Sequence, residues 1–131
     1  MKEGIMNGKF ALSQASWGKL AGVNPDLIKV VDRALQYSLY DFKVTEGLRS
    51  HARQIELVKA GKSRTVHSKH LIGDAVDIAV LDKDGCVTWN WEHYETVSRA
   101  FKRAARELRV PLVWGGEWEK FRDGPHYQFG V

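Results

Sequence analysis

Apolar residues recur every three or four positions in several stretches of the chain, which is the spacing of one buried face of an α-helix. The predicted helices span residues 13–20, 25–39, 51–60 and 91–109. Asn24 and Pro25 favour the start of the second helix, because Asn caps a first turn and Pro suits its first position. Ser50 and Gly61 mark the two ends of the third. The side chains expected to face inward in that third helix are Ile55, Leu57 and Val58.

Alternation of apolar and polar residues predicts short β-strands between and after the helices. The predicted strands span residues 42–45, 75–80, 86–89, 111–114 and 126–129. Asp84-Gly85 is a tight-turn signal that joins the second and third strands as a hairpin, which makes Cys86 a strand residue. The polar segment 64–73 is predicted to be a loop. Helices mixed with short, hairpin-linked strands indicate an α+β fold: a small antiparallel sheet flanked by helices in one domain.

The strand predicted over residues 75–80 carries a carboxylate in an otherwise apolar segment. One face of this strand presents Val76, Ile78 and Val80, which suit a core. On the other face Asp77 lies between two alanines. Burying an unpaired carboxylate is costly, so the pattern supports a metal ion as the partner of Asp77.

The composition excludes several broad classes of protein. The 131 residues are 44% hydrophobic and 27% charged, which is ordinary for a globular domain and excludes a disordered or fibrous chain. No apolar run reaches the roughly 20 residues that cross a bilayer, and no apolar signal segment opens the chain. We therefore expect synthesis in the cytoplasm, without stable membrane insertion. The single cysteine, Cys86, excludes an internal disulfide and a cysteine-rich zinc site.

The charge balance favours a polyanionic partner. Lys and Arg number 20 against 16 acidic residues, which gives a net charge of +4. Nucleic acid and an acidic cell-wall polymer both fit this charge, but no nucleic-acid-reading motif is recognisable. Five basic residues decorate the polar side of the last helix: Arg99, Lys102, Arg103, Arg106 and Arg109. They form either an ordinary solvated face or a contact with anionic lipid or wall.

Two histidines and one aspartate are the candidate metal ligands. Gly73 lies between His70 and Asp77, so the chain can turn there and bring His70 back over the strand that carries Asp77. If the last strand is a neighbour, His126 on its polar face meets both side chains. Two imidazoles and one carboxylate form a catalytic zinc set that leaves a fourth position for water. Asp123, in a Gly-Pro turn three residues before His126, is placed to act as the general acid/base.

At these residues the chain resembles the zinc peptidases of peptidoglycan. Residues 68–77, SKHLIGDAVD, match the signature S-x-H-x-x-G-x-A-x-D of that family. The resemblance extends through GLRS at 47–50 with Gln54, through WGGEW at 114–118 and to DGPH at 123–126. The family groups D-Ala-D-Ala carboxypeptidases and dipeptidases with phage L-alanyl-D-glutamate endopeptidases.

The resemblance implies one Zn²⁺ per chain and a role for each residue of the motifs. The implied zinc ligands are His70, Asp77 and His126. The implied catalytic groups are Asp123, the general base, and Arg49, the cation that steadies the oxyanion or a substrate carboxylate. The residues implied to orient these groups or to contact substrate are Ser68, Gln54, Trp114 and Trp118.

The base position favours the endopeptidase branch of this family. The D-Ala-D-Ala enzymes usually carry Glu there, in an E-x-x-H pattern, whereas this chain has Asp123 before His126. We therefore predict a monomeric phage endolysin that cleaves the L-alanyl–D-glutamate bond of bacterial peptidoglycan and has no separate wall-binding domain. A D-Ala-D-Ala carboxypeptidase or dipeptidase is the alternative. A non-catalytic zinc module is more distant, because a structural site needs neither Asp123 nor Arg49.

Several residues keep a structural interpretation beside the functional one. Trp114 and Trp118 are either core aromatics or walls of the cleft, and Arg49 is either a catalytic cation or an ordinary salt-bridge partner. Residues 82–85, DKDG, favour a hairpin turn over a calcium loop, because the later ligands of such a loop are lacking. Three histidines outside the signature are expected to be solvated: His51, His67 and His93.

Overall fold

Two helices pack against one face of a five-stranded antiparallel sheet, and the other face carries the polar residues singled out above. The computed structural model describes residues 10–63, 65 and 67–130. Its α-helices are α1 (Gln14–Lys19), α2 (Pro25–Tyr37), α3 (His51–Lys59) and α4 (Trp91–Leu108). Its strands are β1 (Phe42–Glu46), β2 (Ala75–Leu81), β3 (Val87–Thr88), β4 (Leu112–Trp114) and β5 (His126–Phe129). Two short 3₁₀ helices span Lys69–Ile72 and Gly115–Glu117. The predicted α+β class is confirmed.

The sheet has the order β1-β2-β5-β4, with β3 paired to the end of β2. Because β2 pairs with β5, Asp77 lies directly opposite His126 in the register. On the other side of β2, Glu46 of β1 lies opposite Asp77, after a shift in register beyond Val44. Three polar side chains from three strands are thus brought together near the middle of the sheet.

The core lies between the sheet and the apolar faces of α2 and α4. Leu27 and Val31 of α2 are fully buried, as is Phe101 of α4. The Phe101 ring stacks on that of Tyr127 in β5, with ring centroids 3.7 Å apart. This packing fixes β5 from behind and therefore also fixes the polar residues on its front face.

An asparagine and a serine side chain begin two of the described α-helices where the sequence predicts. Asn24 accepts a hydrogen bond from the N–H of Asp26, and Pro25 occupies the first helical position. Ser50 caps α3 in the same way, through the N–H of Arg53. None of the described helices is both long and apolar enough to cross a bilayer.

Some local predictions are wrong. The segment predicted as a loop contains the 3₁₀ helix Lys69–Ile72, which is too short to show helical periodicity. Ile55 is 46% exposed, because α3 lies on the surface and buries only Gln54 and Leu57, three positions apart. His93 is partly buried rather than solvated, and its ring lies 4.4 Å from that of Tyr40.

The hairpin after β2 is also shorter than expected. Cys86 lies outside β3 and is exposed, so only two residues of the predicted strand pair with β2. The Asp82 carboxylate accepts hydrogen bonds from the N–H groups of Asp84 and Cys86. That side chain therefore closes the turn itself, as the hairpin interpretation of residues 82–85 requires.

Candidate metal centre and cleft

His70 is held rigidly at the base of a cleft. Ser68 caps the short helix that carries it, with its hydroxyl accepting from the His70 N–H at 3.1 Å. Gly73 ends that helix with a left-handed φ of 77°, and a Cβ there would lie 2.5 Å from the Gly22 carbonyl oxygen. The buried imidazole donates from Nδ1 to the carbonyl oxygen of Gly47 at 2.8 Å. Because a carbonyl oxygen only accepts, Nε2 of a neutral His70 is left with its lone pair.

His126 is oriented in the same manner from the opposite side. Its Nε2 lies 2.9 Å from the amide oxygen of Gln128, the next residue on the same face of β5. With Nε2–H donating to that oxygen, Nδ1 presents its lone pair to Asp77, whose Oδ1 is 3.1 Å away. An outer hydrogen bond of this kind commonly fixes the tautomer and ring orientation of a metal-ligating histidine.

The three side chains therefore direct lone pairs at one another. Nε2 of His70 is buried without a hydrogen-bond partner and lies 3.4 Å from Oδ2 of Asp77. One ligand atom from each of His70, Asp77 and His126 lies within 4.8 Å of the other two. Facing lone pairs repel unless a cation lies between them, so the donor set fits a metal ion. The sequence-based prediction that the three residues meet agrees with this geometry.

The electrostatics of the cluster keep Asp77 charged. Burial acts to raise the pKa of Asp77, but His126 and His70, when protonated, donate hydrogen bonds to its carboxylate and add positive charge, and these effects outweigh burial and hold that pKa far below its usual range. Burial acts in the opposite direction on His126, yet the adjacent Asp77 carboxylate raises the net pKa of that imidazole. The carboxylate stays ionised and attracts positive charge, as a metal ligand must.

Asp123 faces the same cleft from the turn that precedes β5. Its N–H donates to the Gly115 carbonyl oxygen at 3.0 Å, and its own carbonyl accepts from the His126 N–H at 3.2 Å. The Pro125 carbonyl in turn accepts from Ile78 N–H of β2 at 3.0 Å. Burial, and secondarily the negative charge of Asp77, raises the pKa of the Asp123 carboxyl group. A carboxylate with a raised pKa beside a cation site is suited to proton transfer.

Arg49 lies beside the cluster and is only 8% exposed. Its Nε and Nη2 donate to the two carboxylate oxygens of Glu46 at 2.8 and 2.7 Å, and its Nη1 donates to Gln54 Oε1 at 2.7 Å. Nη2 is also 3.6 Å from Oδ2 of Asp77. Gln54 is buried and donates onward to Ser63 Oγ at 2.9 Å and to the Thr65 carbonyl. Arg49 is thus both a salt-bridge partner and a cation at the candidate metal centre.

The two tryptophans of the WGGEW motif have different surroundings. Trp114 is buried, and its indole N–H donates to the Gly124 carbonyl oxygen at 2.7 Å, so it braces the turn that carries Asp123. It is a core aromatic and does not line the described cleft. Trp118 does line the cleft, with its ring 5.2 Å from that of His126.

The cleft has a volume of about 810 Å³. His67 is exposed and lines the cleft, but it does not belong to the His70, Asp77 and His126 cluster. His51 is also exposed and does not line the cleft.

On the basic face of α4, two residues have local partners: Lys102 pairs with Glu117, and Arg103 lies over the Tyr37 ring. Those two fit the solvated-face interpretation.

Two side chains that orient residues of the candidate site escaped the sequence analysis. Glu46 binds both Nε and Nη2 of Arg49, and its own pKa is lowered chiefly by the hydrogen bonds from Arg49. Gln128 fixes the outer nitrogen of His126. Two signals in the sequence could have indicated these roles. Glu46 lies three residues before Arg49, and Gln128 lies on the same strand face as His126.

This fold and site define a small α+β domain with a His-Asp-His cluster at the base of a cleft, placed so that it could hold a metal ion. Residues 8–128 match the family model described as phage L-alanyl-D-glutamate peptidase. The chain is 36% identical, over 118 residues, to the L-alanyl-D-glutamate peptidase of Escherichia phage T5. The alignment covers 87% of this chain and 85% of that relative. The chain therefore belongs to the phage L-alanyl-D-glutamate peptidase family, and the resemblance inferred from its motifs is confirmed.

Solved structures support the same assignment. The L-Ala D-Glu endopeptidase ChiX of Serratia marcescens superimposes with a TM-score of 0.86 at 47% identity, over 92% of this chain and 90% of that one. The vancomycin resistance D,D-dipeptidase VanXYg matches with a TM-score of 0.53 at 17% identity, over 82% of this chain and 50% of that one. The similarity to VanXYg, at 17% identity, shows only that the two proteins share a fold.

Proposed function

We propose that this protein is a zinc-dependent endolysin that hydrolyses the L-alanyl–D-glutamate bond of bacterial peptidoglycan and so lyses the host cell of a phage. The observation that carries the proposal is the convergence of His70 Nε2, His126 Nδ1 and the Asp77 carboxylate, with both outer imidazole nitrogens bonded to carbonyl oxygens. Two imidazoles and one carboxylate favour zinc and leave a coordination position open for water. Membership of the family supplies the bond that is cut.

In this proposal His70, Asp77 and His126 hold the metal ion. A zinc ion bound there lowers the pKa of its water and polarises the scissile carbonyl. The residues of the chain then have two further tasks. They transfer protons and stabilise charge at the reacting groups, and they hold the three proposed ligands in one fixed arrangement.

Asp123 is the proposed general base and acid. Its carboxylate accepts a proton from the attacking water and afterwards donates it to the departing D-glutamate amine. Its raised pKa suits the first step, because a more basic carboxylate accepts a proton more readily. The backbone hydrogen bonds of residues 123 and 126 couple the base to the ligand that follows it.

Arg49 is proposed to stabilise negative charge that develops at the scissile carbonyl, or a carboxylate of the substrate. Glu46 and Gln54 hold three of its five N–H groups, which fixes the plane of the guanidinium next to Asp77. A cation positioned before the reaction needs no reorganisation when charge appears. The proposed ligands, base and cation complete the site without a residue from a second copy, and we propose that the protein acts as a monomer.

Mass spectrometry of purified peptidoglycan after digestion tests the proposal. We expect new N-terminal D-glutamate together with free muramyl-L-alanine ends. Loss of terminal D-alanine alone would contradict the endopeptidase assignment and favour a carboxypeptidase. Chelation should abolish the cleavage and added zinc should restore it, whereas cleavage that persists after confirmed metal removal would contradict a zinc mechanism.

A further inference from the structure

Two large aromatic side chains that line the cleft are mostly exposed to solvent. Trp89 is 68% exposed and Phe121 is 62% exposed, and both line the cleft together with Trp118. Large aromatic side chains clustered on the surface next to a cleft are typical of a binding site rather than of an inert surface. The proposed hydrolysis of a peptide bond uses neither Trp89 nor Phe121.

The Trp89 ring is held in place before any ligand arrives. It stacks on Tyr94 with ring centroids 6.0 Å apart and an angle of 6° between the rings. Tyr94 is itself buried, and its hydroxyl donates to the Thr88 carbonyl at 2.8 Å and accepts from the Val80 N–H at 3.1 Å. The indole therefore lies parallel to a fixed ring and offset from it, and this contact helps to orient the exposed side chain.

The same cleft brings aromatic and polar groups to the candidate metal centre. Among the aromatic groups, Trp118 lies next to the centre, with its ring 5.2 Å from that of His126. Among the polar groups, Gln54 links Arg49 to Ser63 and to the Thr65 carbonyl, and both of these residues line the cleft. A substrate bound in this cleft thus has both aromatic surfaces and polar groups available to it.

The proposed substrate carries a sugar next to the bond that is cut. The L-alanine of the stem peptide is joined to the lactyl group of N-acetylmuramic acid, so only this amino acid and the lactyl group separate the scissile bond from the sugar ring. Because a residue spans at most about 3.3–3.6 Å, the sugar must lie close beside the metal centre. The other product carries the D-glutamate and its free carboxylates. A pyranose ring has an apolar face of C–H groups, which an exposed indole or phenyl ring can cover.

We propose that Trp89 and Phe121 form a subsite for the N-acetylmuramic acid attached to the L-alanine. This inference rests on the proposed function, since it takes the sugar to be part of the same substrate. The enzyme then recognises the glycan as well as the peptide, and it cleaves stem peptides that are still attached to the strand in preference to free wall peptides of the same sequence.

Paired substrates test the subsite. N-acetylmuramyl-L-alanyl-D-glutamyl peptide and the same peptide with an acetyl group in place of the sugar are compared by kcat/KM. We expect the wild-type protein to prefer the glycosylated substrate, and we expect Trp89→Ala to lower that preference roughly tenfold, equivalent to about 1.4 kcal/mol. Trp89→Phe should retain most of the preference, because it keeps an aromatic face. Phe121→Ala should lower the preference in the same direction.

Trp17→Ala is the matched control. Trp17 is 45% exposed, lies in α1 and does not line the cleft, so its removal should leave both kcat/KM values and their ratio unchanged. An equal rate on the two substrates, or a ratio that Trp89→Ala and Phe121→Ala leave unchanged, would overturn the subsite.

A binding measurement separates this inference from the proposed function. Calorimetric titration with N-acetylmuramyl-L-alanine, which has no bond to be cut, should show tighter binding than N-acetyl-L-alanine, and Trp89→Ala should remove the difference. Sugar-dependent binding without cleavage of either peptide would contradict the proposed hydrolysis while supporting the subsite. Cleavage of both peptides with no sugar-dependent binding would contradict the subsite alone.

Discussion

Replacing Gly115 by alanine should damage the site through backbone contact alone. A Cβ at this position would lie 2.5 Å from the Asp123 carbonyl oxygen, 3.1 Å from Asp123 Cβ and 3.2 Å from His126 Cβ. The first of these contacts must lengthen by at least about 0.5 Å to reach a distance that real Cβ atoms show. The atom that must move is backbone, so no side-chain rotation relieves the clash.

The displacement reaches both the proposed base and a proposed ligand. The Asp123 N–H donates to the Gly115 carbonyl oxygen at 3.0 Å, and the Asp123 carbonyl accepts from the His126 N–H at 3.2 Å. Overpacking of this kind costs about 1–3 kcal/mol of unfolding free energy. A shift of this size in the reacting groups should lower kcat/KM on the order of 10- to 100-fold.

Urea unfolding and peptidase kinetics measure the two effects in the same preparation. Gly18→Ala is the control, because a Cβ there meets nothing within 4 Å and the residue lies inside α1. That substitution should be neutral or should stabilise the protein by up to about 1 kcal/mol, with unchanged kcat/KM. If Gly115→Ala behaved like Gly18→Ala in both assays, the argument from close backbone approach would be refuted.

Three further substitutions separate the roles within the site. Asp123→Asn should retain bound zinc and the fold while losing about 10²–10⁴-fold in kcat, since the amide cannot accept the proton; loss of zinc would make Asp123 a ligand instead. Gln128→Leu removes the acceptor of His126 Nε2–H and should weaken zinc binding about 10–100-fold in a chelator competition, and unchanged affinity would contradict that orienting role. Gln54→Leu leaves a buried N–H of Arg49 unpaired and should cost about 1–3 kcal/mol in urea unfolding, with zinc retained, whereas wild-type stability would show that the contact contributes nothing.

The elements of this fold that are strongly patterned could be predicted from the sequence. The alternation in β2 places Asp77 opposite the core, and the same alternation in β5 places His126 there, so a single pairing of neighbours joins them. The bounds of β5 agree with the prediction, and those of α4 differ by one residue at its end. The convergence of the three proposed ligands follows from the period-two patterning of both strands together with one turn at Gly73.

The parts that escaped prediction depend on contacts distant in sequence or on very short elements. Helix α3 lies on the surface with Ile55 exposed, and its buried contacts are those of Leu57 and the hydrogen bonds of Gln54 to Ser63 and to the Thr65 carbonyl, which no apolar periodicity predicts. The pairing of Glu46 with Arg49 depends on the shift in register at the end of β1. Trp114 and Trp118 are identical in type and four residues apart, so only packing decides that one braces a turn and the other lines the cleft.

The central claim is that three residues of this chain hold a catalytic zinc ion. Diffraction from crystals of the zinc-loaded protein, recorded on both sides of the zinc absorption edge, tests it most directly. We predict one anomalous peak per chain, bonded to Nε2 of His70, Nδ1 of His126 and a carboxylate oxygen of Asp77. A peak bonded to His67 or to Asp123 in place of any of these, or no peak in crystals of an active preparation, would contradict the account.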